Sequence, residues 1–397
     1  METKNPGIIV LAILIVVVAG VVLFGLQGLA ATGSITPSSR SITGNGSESL
    51  HTLTTTVILP VTTLQGRVVL ANPDRAEPNR SYRTVTDMAG RKVTIPVNIR
   101  KVIGPKHFVD LIAPEKLAGW QPPSQNESRK YLEVVPDTVP VIAESSTNYE
   151  ANIALHPDIV FIGCELGITT DPASINLTQE KYGALPAVCV DNIRNATEYG
   201  PTIRFIGDVL GVPERADKLL NYYQGVLDEV RTGVSAIPEE KRVRVYYAEG
   251  TNGLSTDLSG SCHSQLIDVC GGINVAGNNS VFSSTSSIVT KESVLMWNPD
   301  AIITTSPEFI ALVYNDSTWQ QMPAVKNHRV YLTPTKPYNW FDRPPGMNRI
   351  VGIPWTAHVL YPDLFPEDWF RKKVKEFYSL YYQYDLSDED LSSLISE

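Results

Sequence analysis

The sequence predicts an α/β protein of two Rossmann-like lobes with parallel sheets, joined by a single long α-helix and preceded by an N-terminal transmembrane helix. Three observations predict it. From residue 85 onward, short apolar runs alternate with helical segments, the pattern of parallel sheets covered on both faces. One long amphipathic stretch divides that alternation into two halves built to the same plan. Residues 8–26, IIVLAILIVVVAGVVLFGL, carry no charge, and a helix of about 20 such residues crosses the hydrocarbon core.

The chain has 397 residues, 43% hydrophobic and 19% charged, with a formal net charge of -9. That length supports two domains, each burying its own core. No block of Lys and Arg interleaves with aromatics, so no nucleic acid partner is expected. Lys4 precedes the apolar run and the next basic residue is Arg40, which places the N-terminus inside and the rest outside the cell membrane as a single-pass anchor. The competing reading is a cleaved signal peptide, with Gly28-Leu29-Ala30 as a small-x-small site. The run is longer than a signal core of about 7–15 residues, which favours the anchor. No cysteine sits near the end of the run, so a bacterial-type lipid anchor is not available.

Residues 1–31 are thus read as anchor or signal and 32–81 as a flexible Ser/Thr-rich tether, with a coil length on the order of 40 Å. Export agrees with N-x-S/T acceptors at Asn45, Asn79, Asn126, Asn176, Asn195, Asn278 and Asn315, which mark the chain as a candidate glycoprotein. It also agrees with two disulfides among the four cysteines, Cys164–Cys189 and Cys262–Cys270, buried free thiols being the alternative.

The first lobe is expected over 82–196. VTDMAGRKVTIP turns at Ala89-Gly90 between β-rich runs, a hairpin. KVIGP (101–105), KLAGW (116–120) and TVPVIA (138–143) are short apolar runs. YEANIALHPDIVFIG (149–163) reads as helix, Pro-containing turn and buried strand, and LTQEKYGALPAVCVD (177–191) repeats that order. Linking helices fill 197–240, broken at Gly211-Val212-Pro213 because proline suits the first turn of a new helix. Leu219, Leu220, Tyr223, Val226, Leu227 and Val230 then share one helical face. The second lobe, 241–397, repeats the α/β pattern in VRVYYAEG (243–250), HSQLIDVCGGINVA (263–276), KESVLMWNPDAIITT (291–305) and HRVYLTP (328–334). The aromatic-rich stretch from Pro354 is helical and expected to pack on that lobe. Two such lobes enclose a cleft, where small ligands bind.

Between residues 85 and 366 the chain resembles the helix-linked class of ABC-transporter solute-binding proteins, the iron-siderophore and cobalamin-type periplasmic binding proteins. TDMAGRKVTIPVNIRKVI, NYEANIALHPDIVFIG, LLNYYQGVLDEV, SQLIDVCGGINVA, VTKESVLMWNPDAIIT and WQQMPAVKNHRVYLTP carry the resemblance by their order and spacing. It implies a capture protein, not an enzyme, that delivers its cargo to an ABC permease and ATPase. The implied cargo is a small metal chelate, foremost an iron(III)-siderophore, with a corrinoid or a molybdate/tungstate-like oxyanion as alternatives, and no cofactor is implied. In that class one acid per lobe docks on permease arginines, and the matching positions are Glu150 and Glu292. The other reading makes them first-turn acids favoured by the helix dipole. The implied ligand loops are 104–107, 120–121, 144–149, 164–165, 249–253, 261–263, 305–306 and 338–343. Within them His107, Trp120, Tyr149, Glu249, His263, Tyr338, Trp340 and Arg343 are the candidate ligand-binding residues.

The segment KPYNWFDRPPGMNR (336–349) is the most distinctive. Tyr338, Trp340 and Phe341 offer flat apolar contact to a planar or bulky ligand. Arg343 can take an oxyanion or carboxylate with two N–H groups, or pair with Asp342. His107, His263 and His328 have no metal-site spacing, so no protein-ligated metal is expected. The chain lacks G-x-x-x-x-G-K-[ST], G-x-S-x-G and G-x-G-x-x-G. A surface metalloenzyme or hydrolase on the same scaffold, with Glu144, Glu150 and Glu165 as acid/base candidates, and a surface sensor or adhesion module are the competing classes.

Overall fold

The computed structural model describes residues 80–142, 148–277 and 286–396. The apolar run, the tether up to residue 79, Glu144 and the acceptors Asn45, Asn79 and Asn278 lie outside the described residues. Among those described, no helix is long and apolar enough to cross a membrane.

The described chain opens on the expected hairpin, β1 (Tyr82–Thr86) against β2 (Lys92–Pro96), antiparallel with Tyr82 opposite Pro96. Asp87 closes its turn by accepting from the Ala89 and Arg91 amides and from the Arg91 guanidinium. Gly90 supplies the left-handed turn residue at φ 76°. Strands β3 (Val102–Ile103), β4 (Ile159–Gly163) and β5 (Ala187–Val190) form the first lobe's parallel sheet in that order. Asp87 also accepts the Cys189 amide at 3.0 Å, pinning the hairpin to β5.

The second lobe contributes β6 (Arg244–Ala248), β7 (Ser255–Thr256), β8 (Ile273–Asn274), β9 (Ser287–Ile288), β10 (Ala301–Thr304) and β11 (Val330–Leu332). Its parallel sheet runs β11-β10-β6-β8, while β7 and β9 form a short antiparallel pair. All positions of β5 and β10, and most of β4 and β6, are buried. That explains why these strands read as continuous apolar runs with no alternation. TVPVIA (138–143) contributes only an isolated bridge at Val141, since Pro140 has no amide to donate to a ladder.

Two helices connect the lobes, Tyr199–Leu210 and Pro213–Ser235. Gly211 ends the first at φ 71° and Pro213 starts the second. All six apolar residues assigned to one face of the long helix are buried. The core departs from the expectation of two separate interiors. Its largest cluster runs from Val93 and Ile95 through Tyr223 and Val230 to Trp340, Trp355 and Tyr381. Smaller clusters sit around Tyr246 and Trp319 and around Ile103 and Tyr182.

The C-terminal aromatic segment causes this merger, because it packs on both lobes and not on the second alone. Tyr381 donates to the Leu219 carbonyl at 2.7 Å, Tyr378 and Tyr384 meet Tyr131 edge-on, and Lys130 pairs with Asp390 at 2.7 Å. A tyrosine can span such a gap with its apolar body while its hydroxyl finds a partner at the far side.

The four cysteines are free thiols. Cys164, just past the end of β4, and Cys189, on the neighbouring β5, hold their sulfurs 2.7 Å apart. The expected Cys262–Cys270 pairing is not formed, and Cys270 donates to the Ile353 carbonyl. Of the described glycan acceptors, Asn126, Asn176 and Asn315 are exposed. Asn195 is largely buried, its side-chain oxygen accepting from Thr197 and Gln265.

Two glycines provide a test of this packing. A Cβ on Gly352 would overlap the Trp340 carbonyl, whereas one on Gly225 meets nothing within 4 Å. Gly352→Ala is expected to destabilise the chain by about 2 kcal/mol or more. Gly225→Ala, in mid-helix, should stabilise it by up to about 1 kcal/mol. Thermal melts of both variants beside the parent read the difference.

Candidate functional site

In a parallel sheet every strand ends at the same edge, so the loops after those ends gather on one side of each lobe. Here they meet between the lobes. Tyr338 of the second lobe donates to Asp110 of the first at 3.2 Å, and Lys336 pairs with Glu127 at 3.1 Å. A crevice of about 500 Å³ lies under that pair, between Gln125 and Asn126 on one side and Thr305, Thr333 and Thr335 on the other. The Thr333 hydroxyl is buried there without a hydrogen-bond partner.

Arg343 organises the second-lobe wall. Its guanidinium pairs with Glu249 after β6, with Asp257 after β7 at 2.6 Å, and with its neighbour Asp342. Asp342 also accepts the Tyr247 hydroxyl at 2.7 Å and meets Nδ1 of His263, while Asp257 accepts Ser261 Oγ at 2.8 Å. These three contacts use three of the roughly five N–H donors of a guanidinium and leave two. The side chain remains 41% exposed.

Burial pushes the Glu249 carboxyl up to about 7. Burial opposes the charged form of His263 as well, but its hydrogen bonds to Asp342 and Cys262 prevail and raise it to about 9. The Asp257 carboxyl is also disfavoured by burial, yet Arg343 and Ser261 hold it below the usual range. Near neutral pH His263 is therefore charged and Glu249 partly protonated. Donor atoms of Asp257, His263 and Asp342 lie within 4.8 Å of one another. The carboxylate oxygens of that trio accept from Tyr247, Ser261, Arg343 and His263, so the trio seats the arginine.

The first-lobe wall carries Glu165 after β4 and Arg194 after β5. Glu165 is 3% exposed; one oxygen accepts the Arg194 amide and the other has no partner. Burial pushes this carboxyl up to about 7. The Arg194 side chain is half-buried and makes no hydrogen bond or ion pair to another described residue. Beneath both walls lies Arg349, fully buried, which donates to the Tyr199 hydroxyl at 2.8 Å and to the carbonyls of Arg194 and Cys262.

The structure brings Glu249, His263 and Arg343 into one cluster, as their shared candidacy requires. His107 is fully buried in the left-handed region at φ 66°, its ring 3.9 Å from that of Tyr338 and its Nδ1 3.7 Å from the Asp110 carboxylate. Burial pushes the imidazole down. Trp120 and Trp340 belong to the core, Trp340 donating to the Lys336 carbonyl. Tyr149 is half-buried, packed edge-on against Tyr182 with Lys181 over its ring. The flat platform expected from Tyr338, Trp340 and Phe341 is corrected accordingly: these rings are 4%, 0% and 0% exposed and build the wall from behind.

Glu150 and Glu292 are exposed first-turn acids on the helices Tyr149–Ala154 and Lys291–Trp297. Asp257, Arg194 and Arg349 were not singled out in the sequence. Position just after a strand end was the available signal for Arg194 and Asp257, and Arg349 closes the distinctive segment 336–349.

This architecture, two parallel α/β lobes joined by a helix around a polar cleft, defines a solute-binding protein. The chain belongs to the periplasmic binding protein family, whose profile matches residues 106–337, and within it to the helix-linked class that the sequence resembles. It is similar to an ABC transporter solute binding protein from Sulfurospirillum deleyianum, at 31% identity and a TM-score of 0.71, covering 79% of this chain and 99% of that one. It is similar also to the molybdate-binding protein MolA of Haemophilus influenzae, 25% identical over 76% of this chain and 91% of MolA. A periplasmic solute binding protein from Veillonella parvula shares the fold at 24% identity and a TM-score of 0.65, covering 80% and 97% of the two chains. The family consists of binding proteins rather than enzymes.

The raised Glu165 carboxyl carries a stability consequence. Its folded value of about 7 exceeds the ordinary 4.5, so its contribution is fully present below 4.5 and is lost as pH rises through 7. Glu165→Gln removes that loss. Its melting temperature should exceed the parent's at pH 8, by the equivalent of about 2–3 kcal/mol at most, and match it near pH 4.5.

Proposed function

We propose that the protein is the extracytoplasmic solute-binding component of an ABC importer and that its cleft takes a small oxyanion of the molybdate and tungstate class. The observation that carries this reading is Arg343. Three carboxylates hold its guanidinium rigid and two N–H donors remain, the equipment for orienting a compact oxygen-rich anion without a reorganisation cost on binding. Arg194 on the facing loops is a second cation, with no side-chain hydrogen bond or ion pair among the described residues. The burial of Trp340 and Phe341 removes the planar contacts that a corrinoid would use. Similarity to a molybdate-binding protein supports the same cargo. The metal chelate expected from the sequence is the competing cargo and is read in the same experiment.

Titration calorimetry of the purified full-length chain with molybdate, tungstate, sulfate, a ferric catecholate chelate and cyanocobalamin tests the assignment. Molybdate or tungstate should bind, and Arg343→Gln should weaken that binding by about tenfold or more. Heat from the ferric chelate alone would replace the oxyanion with the chelate. Because Glu249 and Glu165 ionise near pH 7 and an anion prefers them protonated, oxyanion affinity should fall between pH 6 and pH 8.

Docking falls to Glu150 and Glu292, which present one exposed carboxylate per lobe to permease arginines. The double variant Glu150→Ala, Glu292→Ala should abolish uptake in cells while leaving the calorimetric affinity unchanged. Undiminished uptake would remove both residues from the docking role.

A further inference from the structure

Outside the cleft, a groove of about 460 Å³ runs between the C-terminal half of the linking helix and the second-lobe segment 260–271. Its polar lining includes Thr197, Arg231, Ser235, Arg242, Gln265 and Asp268. Thr197 and Ser235 are already engaged with the Asn195 side chain and the Thr232 carbonyl, and Gln265 with the Ala196 amide and the Asn195 side chain. The two arginines are not. Neither guanidinium has a hydrogen bond or ion pair to any described residue, and Nε of Arg242 is shut off from solvent with no acceptor. A buried donor in that condition costs about 1–3 kcal/mol until something accepts from it. Asp268 is the one acid in the lining, and it pairs with neither arginine. The groove thus offers two unspent cations against one unspent acid, with net positive charge.

We propose that this groove is a second binding site, for a small oxyanion, phosphate or carboxylate, that bridges Arg231 and Arg242. The bound group accepts from the Arg242 Nε–H that the protein leaves unmet and pairs with the exposed Arg231 from the solvent side. Its position gives it reach. The same 260–271 segment supplies Ser261 to Asp257, His263 to Asp342 and the Cys262 carbonyl to Arg349. An anion in the groove therefore rests against the back of the segment that seats Arg343, and the site is placed to act as an effector site for the cleft. The proposal is independent of the cargo assigned to the cleft.

Calorimetric titration of the full-length chain with inorganic phosphate and with citrate, chloride serving as control, tests the site. Binding of at least one oxyanion is expected, the stronger titrant naming its class. Arg231→Gln and Arg242→Gln should each weaken it by about tenfold, and Arg343→Gln in the cleft should leave it intact. Arg231 is exposed and has no hydrogen bond or ion pair among the described residues to lose, so its variant keeps the test valid should Arg242→Gln fold poorly; a thermal melt checks both. No heat with either anion, or binding insensitive to Arg231→Gln, or binding abolished only by Arg343→Gln, would overturn the proposal.

Discussion

A fully buried guanidinium without a carboxylate partner is the constraint on which the interlobe region depends. Arg349 is satisfied instead by the Tyr199 hydroxyl and two backbone carbonyls, one after β5 in the first lobe and one ahead of a second-lobe helix. A buried cation is tolerable only while its donors are met, so those carbonyls cannot drift apart. The loops bearing Arg194 and Cys262 are thereby fixed to a common point, and the cleft above inherits that fixed spacing. Modest lobe movement about the linking helix is the corollary, because a wide opening would strand the charge.

Above that floor the second-lobe wall follows a different electrostatic logic. Arg343 is surrounded by more acid than it needs, and the excess is managed by the partial protonation of Glu249 and the charging of His263. The result is a rigid donor in a nearly neutral setting. Such a site discriminates by the direction of its hydrogen bonds more than by bulk charge.

Much of the fold was legible in the sequence because burial on both faces of a parallel strand leaves an unmistakable apolar run, as in IVFIG and AIITT. The hairpin at Gly90 and the helix break at Pro213 were legible for stereochemical reasons, since few residues suit those positions. The joint core was not, because the contacts of Tyr378, Tyr381 and Tyr384 with residues far away in the chain have no local signature. The site divided similarly. Arg343, Glu249 and His263 stood out by residue type at strand ends, whereas Asp257 and Arg349 gain meaning only from partners about 90 and 150 residues away. Trp340 and Phe341 misled because an aromatic cluster beside an arginine reads alike whether it faces ligand or core.

The C-terminal aromatic segment has a bearing on biogenesis. Its tyrosines complete the packing around Tyr131 and the linking helix, and its acidic end holds Lys130. The first lobe therefore lacks part of its interior until residues 378–390 have been made. Synthesis proceeds from the N-terminus, so the nascent first lobe cannot reach its final packing ahead of that segment. For an extracytoplasmic protein the delay has a use: a lobe still short of its packing is easier to thread across a membrane.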